Sequence, residues 1–313
     1  MPPLDERLRL AELTMVALAE PGVGELPSKI GVHPRPEASF AHAMPAHLRG
    51  AAATDDLLGI KWVAGFPSNG ATGLPSIGAV VILNDPATGM PIAILDGAPI
   101  TAERTAAVSG VAIRRFGPAA DRRHVAIVGA GVQGHSHLPV VGAVLPGATL
   151  HVFDRHPDRA QALGDQARAT EGIADAVVHE SAREAVEAAD VVVTAASFGP
   201  GDRSQTLTND WLRPGATVVP IDYATYVAAE VAREAALFLV DQREQFLANR
   251  DAGNFDDYPD PGATLGEAIL AGTPRPAGRV VISHLGVGLA DLVFADAIVR
   301  AATALGLGTT LPR

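Results

Sequence analysis

Cysteine is missing from all 313 residues, which removes disulfides, thiolate nucleophiles and Cys-ligated zinc or iron–sulfur clusters, and with them the thiol-dependent dehydrogenases. Basic charge is short as well. Acidic residues number 35 against 24 basic ones, a formal net charge of −11, and such a balance argues against a partner whose phosphates must be neutralised, so nucleic acid is not expected. No run of roughly 18 uncharged apolar residues occurs, and no membrane span is expected. Aromatic residues make up only 4% of the chain, yet 48% of it is hydrophobic, enough for a large core of small aliphatic side chains. The length suits two domains. The opening Met1 to Leu10 is acidic and amphipathic, which suits the first helix of a fold better than a signal peptide, and the expectation is a soluble cytoplasmic protein.

Lysine is the scarcest charge. Only Lys29 and Lys61 among the 24 basic residues are lysine, so a lysine that persists marks a place where a compact ammonium on a flexible stem does what a forked guanidinium cannot.

What is present falls into two patterns. Apolar residues at helical spacing run from Leu4 to Ala19 and stop at Pro21-Gly22. Short apolar runs over 39–44, 58–64 and 77–83 are bounded by Pro, Gly and Asn, as antiparallel strands are. Residues 101–116 read as a helix capped by Thr101 and closed by Gly117-Pro118, a domain boundary. Beyond it strands at 124–128, 150–153, 176–178, 191–195, 217–221 and 237–240 alternate with helical stretches such as 159–169 and 182–188, and the tail over 289–305 is again helical. Alternation of this kind predicts a parallel, doubly wound α/β sheet.

The first of these strands runs into Gly129-Ala-Gly131-Val132-Gln133-Gly134. In this pattern Gly129 allows the tight turn, Gly131 lets backbone approach a pyrophosphate, and Gly134 lets the following helix pack against the strand. Asp154 follows at the end of the second strand, where a carboxylate receives the adenosine ribose hydroxyls. The acid favours NAD; Arg155 beside it could instead clasp a 2′-phosphate, which keeps NADP as the alternative. His135-Ser136-His137 does not suit a metal, because helical positions i and i+2 do not share a face, and no metal is expected. Neither lysine follows a tyrosine at the short-chain dehydrogenase spacing, and no Gly-x-Ser-x-Gly elbow occurs.

The segment from Gly73 to Ala107 is more specific, with Asn84-Asp85-Pro86, Thr88-Gly89, Asp96-Gly97 and Arg104-Thr105-Ala106-Ala107. It resembles the ornithine cyclodeaminase and mu-crystallin family, whose members also include alanine dehydrogenases, ketimine reductases and opine-type synthases. Met44-Pro45-Ala46, Ile60-Lys61-Trp62-Val63 and Gly286 to Leu292 extend the resemblance over almost the whole chain. It implies a Rossmann-type sheet (118–284) inserted in a split α+β domain (1–117 plus 285–313) that binds substrate and forms a homodimer.

By the same resemblance Lys61 binds the substrate α-carboxylate, Lys29 stands where cyclodeaminases carry an arginine for that group, and Arg104 lies near substrate and nicotinamide. Asp222 is similar in position to the family's acid/base aspartate. Its flanks depart from the family pattern: Pro220-Ile221 replace a glycine-rich approach, and Glu230 comes later than the expected glutamate. Ser76, Val132, Gln133, Thr194, Ala196 and His284 are implied at the cofactor and Leu285 near the substrate. The reaction implied is NAD-dependent hydride transfer at Cα of an amino acid through an imine, with L-ornithine to proline plus ammonia first. An amino-acid dehydrogenase, a ketimine or cyclic imine reductase, and a non-catalytic mu-crystallin-like binding protein are the alternatives.

Overall fold

The computed structural model describes residues 1–35, 38–119, 123–196, 205–223 and 226–311. The chain forms two compact units, one of Met1–Arg104 with Val287–Arg313 and one of Thr105–Gly286.

The first unit opens with α1 (Leu4–Ala19), which buries Leu8, Leu10, Ala11 and Met15. Strands β1 (Gly24–Glu25), β2 (Ile30–Val32), β3 (Phe40–Leu48), β4 (Leu57–Gly65), β5 (Ile77–Asn84) and β6 (Pro91–Asp96) follow. They form an antiparallel sheet in the order β1-β3-β4-β5-β6, with β2 also on β3. The strand β6 is an addition to the sequence reading, which assigned no element between Pro86 and Ile100; Asp85 accepts backbone N–H bonds from Ala87 and Thr88 and turns the chain back into a hairpin.

The next helix, α2, spans Gly97–Phe116. It starts four residues before Thr101, the cap expected from sequence. Asp96 is what receives the early N–H group, its Oδ1 accepting from Ala98 at 3.0 Å, and Pro99 is tolerated in the first turn because no N–H is needed there. The Thr101 hydroxyl instead donates back to the Gly97 carbonyl at 2.7 Å.

In the second unit β7 (His124–Val128), α3 (Val132–Val144), β8 (Ala148–Phe153), α4 (Pro157–Arg168), β9 (Ile173–Val178), α5 (Ala182–Glu187) and β10 (Val191–Thr194) alternate as predicted. The chain continues through β11 (Thr217–Pro220), α6 (Ala229–Arg233), β12 (Leu237–Val240), α7 (Arg243–Asp251), β13 (Ala263–Thr264), α8 (Leu265–Leu270) and β14 (Val280–Ser283). The eight strands are parallel, in the order β13-β12-β14-β11-β10-β7-β8-β9. Alternate residues of the central strands feed two cores: Val125, Ile127, Val191 and Val193 lie with Leu138 and Leu163, while Ala126, Val128, Val192 and Val218 lie with Val186, Val231 and Phe246. This is the doubly wound α/β sheet expected from the alternation.

The last helix, α9 (Gly288–Ala304), belongs to the first unit and buries every residue from Gly288 to Ala295. A Cβ on Gly288 would lie 2.6 Å from the Met44 carbonyl oxygen, so the start of α9 is in close contact with β3. Among the described residues no helix is long and apolar enough to cross a membrane.

Candidate active site

Strand register explains the first group of residues. Met44, Lys61 and Val81 are partners across β3, β4 and β5 and are all buried. This is the face that α9 covers, and Gly288 sits against Met44, so Asp291, one turn further along, comes down on Lys61. Lys61 Nζ lies 2.6 Å from Asp291 Oδ2, and Arg104 Nε donates to Asp291 Oδ1 at 3.0 Å. Lys61 is 1% and Asp291 0% exposed, so this is an ion pair withdrawn from water. Burial drives the Lys61 ammonium down to about 7, with the Asp291 carboxylate opposing that fall and Arg104 adding to it. Lys61 Nζ also donates to Thr101 Oγ1 at 3.3 Å. Lys29, half-buried, adds a smaller repulsion to the same ammonium. Nearby His42 on β3 is held down to about 4, chiefly by burial and then by Lys29, His33 and Lys61. Sequence reasoning gave Asp291 no chemistry, although it lay in a quoted motif.

The second group stands at the carboxyl ends of β7, β10 and β11. Strand order reverses at β7, with β8 on one side and β10 on the other, and ligands of open α/β sheets bind outside the strand ends at such a point. Gly129 has φ +110 and its Cβ would run into the Ala195 carbonyl; a Cβ on Gly134 would strike the Gly129 carbonyl. Gly131, in contrast, would meet nothing within 4 Å, and Val132 beyond it is 72% exposed. The first turn of α3 therefore presents open backbone N–H groups, a cradle that fits a dinucleotide pyrophosphate. Asp154 is fixed beside it: its two carboxylate oxygens accept from Ala130 N at 2.7 Å and His156 N at 2.8 Å. Arg155 is exposed.

Asp222 follows β11 and is 2% exposed. Burial raises its carboxyl to about 7, against the lowering pull of the Thr194 hydroxyl and the Ala196 N–H, the latter 3.3 Å from Oδ2. Among the described residues the next helix, α6, begins only at Ala229. The next residue, Tyr223, has φ +54, a left-handed conformation that costs a side-chain-bearing residue roughly 1–2 kcal/mol. Its hydroxyl donates to the Leu285 carbonyl at 3.0 Å, which ties this turn down.

A buried chain of hydrogen bonds sets the state of His284. His137 Nδ1–H donates to the Gln133 carbonyl at 2.6 Å, and burial holds the ring neutral, down to about 4. Its Nε2 therefore accepts from the Ser109 hydroxyl at 2.8 Å, and Ser109 Oγ accepts from His284 Nε2–H at 2.9 Å. His135 points elsewhere, to Gln166. His124, His151 and His179 form a row spaced 3.0 and 2.9 Å, but His151 spends one ring nitrogen on each neighbour, so the three share no point for one ion.

The profile of the Ornithine cyclodeaminase/mu-crystallin family matches residues 7–302. The chain belongs to that family. Nodulation efficiency protein NfeD of Rhizobium meliloti is 33% identical over 98% of this chain and 93% of its own length. Ketimine reductase mu-crystallin of Mus musculus is 31% identical, covering 83% of this chain and 79% of that protein. Among solved structures, Thermococcus litoralis Δ1-pyrroline-2-carboxylate reductase in complex with NADH and L-proline superposes with a TM-score of 0.85 at 26% identity, covering 99% of this chain and 96% of that one.

Of the residues expected from the sequence, Lys61 and Arg104 come together around Asp291, Gly129, Gly131 and Gly134 with Asp154, and Asp222 with Thr194 and Ala196. Ser76 is exposed between β4 and β5, and the Leu285 side chain is part of the hydrophobic core beside Phe246 and Phe255. Ser109 was not anticipated, while Thr101 was read only as a helix cap and His137 only as an unsuitable metal ligand. For each of the three, only the fold supplies its partner.

Proposed function

We propose that this family member transfers a hydride between NAD and Cα of a small α-imino or α-amino acid, working as a cyclic imine or ketimine reductase and, in reverse, as an amino-acid dehydrogenase. Bound NAD supplies or accepts the hydride. Lys61 and Arg104 receive the α-carboxylate, and Asp222 handles the proton on nitrogen. The observation that carries the reading is Asp222: a buried carboxyl raised to about 7 is half protonated near neutrality, where a general acid that must protonate an imine and take the proton back works best. Asp154, with both oxygens held by backbone N–H groups, supports NAD over NADP because a fixed carboxylate repels a 2′-phosphate.

The redox-neutral conversion of L-ornithine to proline and ammonia shares the first hydride step. It also needs a group to guide the substrate's side-chain nitrogen, and Glu230 is engaged in part by the Asn209 N–H at 2.8 Å. The imine reaction is therefore placed first. The test is NADH and NADPH absorbance with Δ1-pyrroline-2-carboxylate, run beside ammonia release from L-ornithine with NAD. Net NADH consumption with the imine and no ammonia from ornithine is expected. Ammonia without net change of NADH would establish cyclodeamination instead, and dinucleotide binding without either activity would make the chain a binding protein.

The protein is further read as a homodimer through the sheet face opposite α9. Trp62, Val80 and Ile94 on this face are 48%, 40% and 61% exposed, and Ile30 on β2 is 68% exposed. Register places Ala43, Trp62 and Val80 in one row and Pro45, Ile60, Ile82 and Ile94 in the next. Two rows of aliphatic and indole side chains without a basic residue suit a second copy of the same face.

A further inference from the structure

The geometry assigns to Asp291 the part of positioning residue for the carboxylate site: it selects which donors Lys61 and Arg104 present and matches them to one carboxylate. This rests on the carboxylate reading above and extends it to a group that makes no contact of its own with substrate.

Donor counting leads to it. An ammonium has three N–H groups. Lys61 is held to Asp291 Oδ2 at 2.6 Å as an ion pair and gives one N–H to Thr101 Oγ1 at 3.3 Å, and Thr101 can accept because its own hydroxyl proton goes to the Gly97 carbonyl. At least one N–H remains for a ligand. Arg104 commits Nε to Asp291, which leaves the two terminal amino groups as an end-on fork, the arrangement that grips a carboxylate through two parallel bonds. Charge counting agrees. Two cations around one fully buried anion leave one positive charge in a place shielded from water, and a buried charge of that kind is costly until an anion joins it. A monocarboxylate closes the balance; a neutral ligand does not.

Asp291 also keeps Lys61 charged. Burial and Arg104 both press the ammonium toward the neutral amine, Lys29 adds to them, and Asp291 is the opposing charge. His42 on β3, which feels the Lys61 charge, is neutral near pH 7 and adds none of its own. Take Asp291 away and the lysine gives up its proton at a lower pH, and with the proton goes its attraction for an anion.

The test uses the full chain loaded with NADH and reads nicotinamide fluorescence. The probe is pyrrole-2-carboxylate, a planar analogue of a five-membered cyclic imino acid, with pyrrole-2-carboxamide as the uncharged control. Wild-type affinity should be level below about pH 7 and weaken above it, by up to about tenfold per pH unit. Asp291→Asn should bind the acid about tenfold more weakly near neutrality and move the break about one pH unit lower, with NADH affinity unchanged. Asp291→Glu keeps the charge and should keep the wild-type break even if its affinity falls; it is also the variant to rely on if the asparagine protein does not fold.

An Asn variant with wild-type affinity and break, or a Glu variant whose break has moved, overturns the assignment. Lys61→Ala separates this from the reading beneath it. If Lys61→Ala weakens binding and Asp291→Asn does not, Asp291 alone is discarded. If Lys61→Ala binds as tightly as wild type, or the carboxamide as tightly as the acid, the carboxylate site is discarded together with the inference.

Discussion

A carboxyl that titrates near 7 in the folded chain has a signature that a structural aspartate lacks. Asp222→Asn removes the proton but keeps the shape, so kcat should fall by about a hundredfold while NADH affinity stays as it was. The wild-type rate should also change across pH 7, because burial raises Asp222 to about 7, and that limb should vanish in the variant. A variant that turns over normally would take Asp222 out of the chemistry. At this scale the sequence was informative wherever a residue type was rare or a spacing was rigid. Lys61 is one of two lysines, and Asp154 sits at a fixed distance from the glycines. Asp291 offered neither signal: an acid in the first turn of a helix is explained already by the helix dipole. Its partner, Lys61, is brought to it only by the register of β4 and the packing of α9.

Among the elements, the long periodic segments and several short buried strands, β10, β11 and β12 among them, were legible to within a few residues. α1 and α9 lie within a residue of where the apolar spacing places them, whereas β14, from Val280 to Ser283, was not placed at all. α2 was misread at its start because Thr101 looks like a cap, while Asp96 does the capping and Thr101 serves Lys61. The close approach of α9 to β3 gives a prediction that concerns the element as a whole. Gly288→Ala would put a methyl group 2.6 Å from the Met44 carbonyl oxygen, so the first turn of α9 must lift. The expected cost is about 1–3 kcal/mol in unfolding by urea, together with weaker binding of carboxylate probes as Asp291 withdraws from Lys61. Unchanged stability and binding would mean that the helix start yields without moving Asp291.

For the whole molecule, the apolar rows of the first sheet bear on assembly. Val80→Asp and Ile94→Asp each place a charge on an exposed apolar position, so neither should unfold the chain, and both should shift a dimer toward monomer when mass is measured by light scattering at micromolar concentration. A wild-type monomer under the same conditions would show that the face serves something else. The sequence suggested this face only by its lack of charge from Ile77 to Leu83, since which side of each strand is covered depends on a helix more than 200 residues away.

That separation in the chain also bears on synthesis. The second unit is one continuous stretch, Thr105–Gly286, whereas the first is completed by Val287 onward. On a ribosome the second unit can therefore fold as it emerges, but the earlier strands must wait for α9. Until it arrives, Met44 and Val81 lack their cover and Lys61 its counter-charge, so the growing chain carries a sticky, half-built sheet while the second unit is made. Arrival of α9, rather than synthesis of the strands themselves, is the event that seals the lysine away from water.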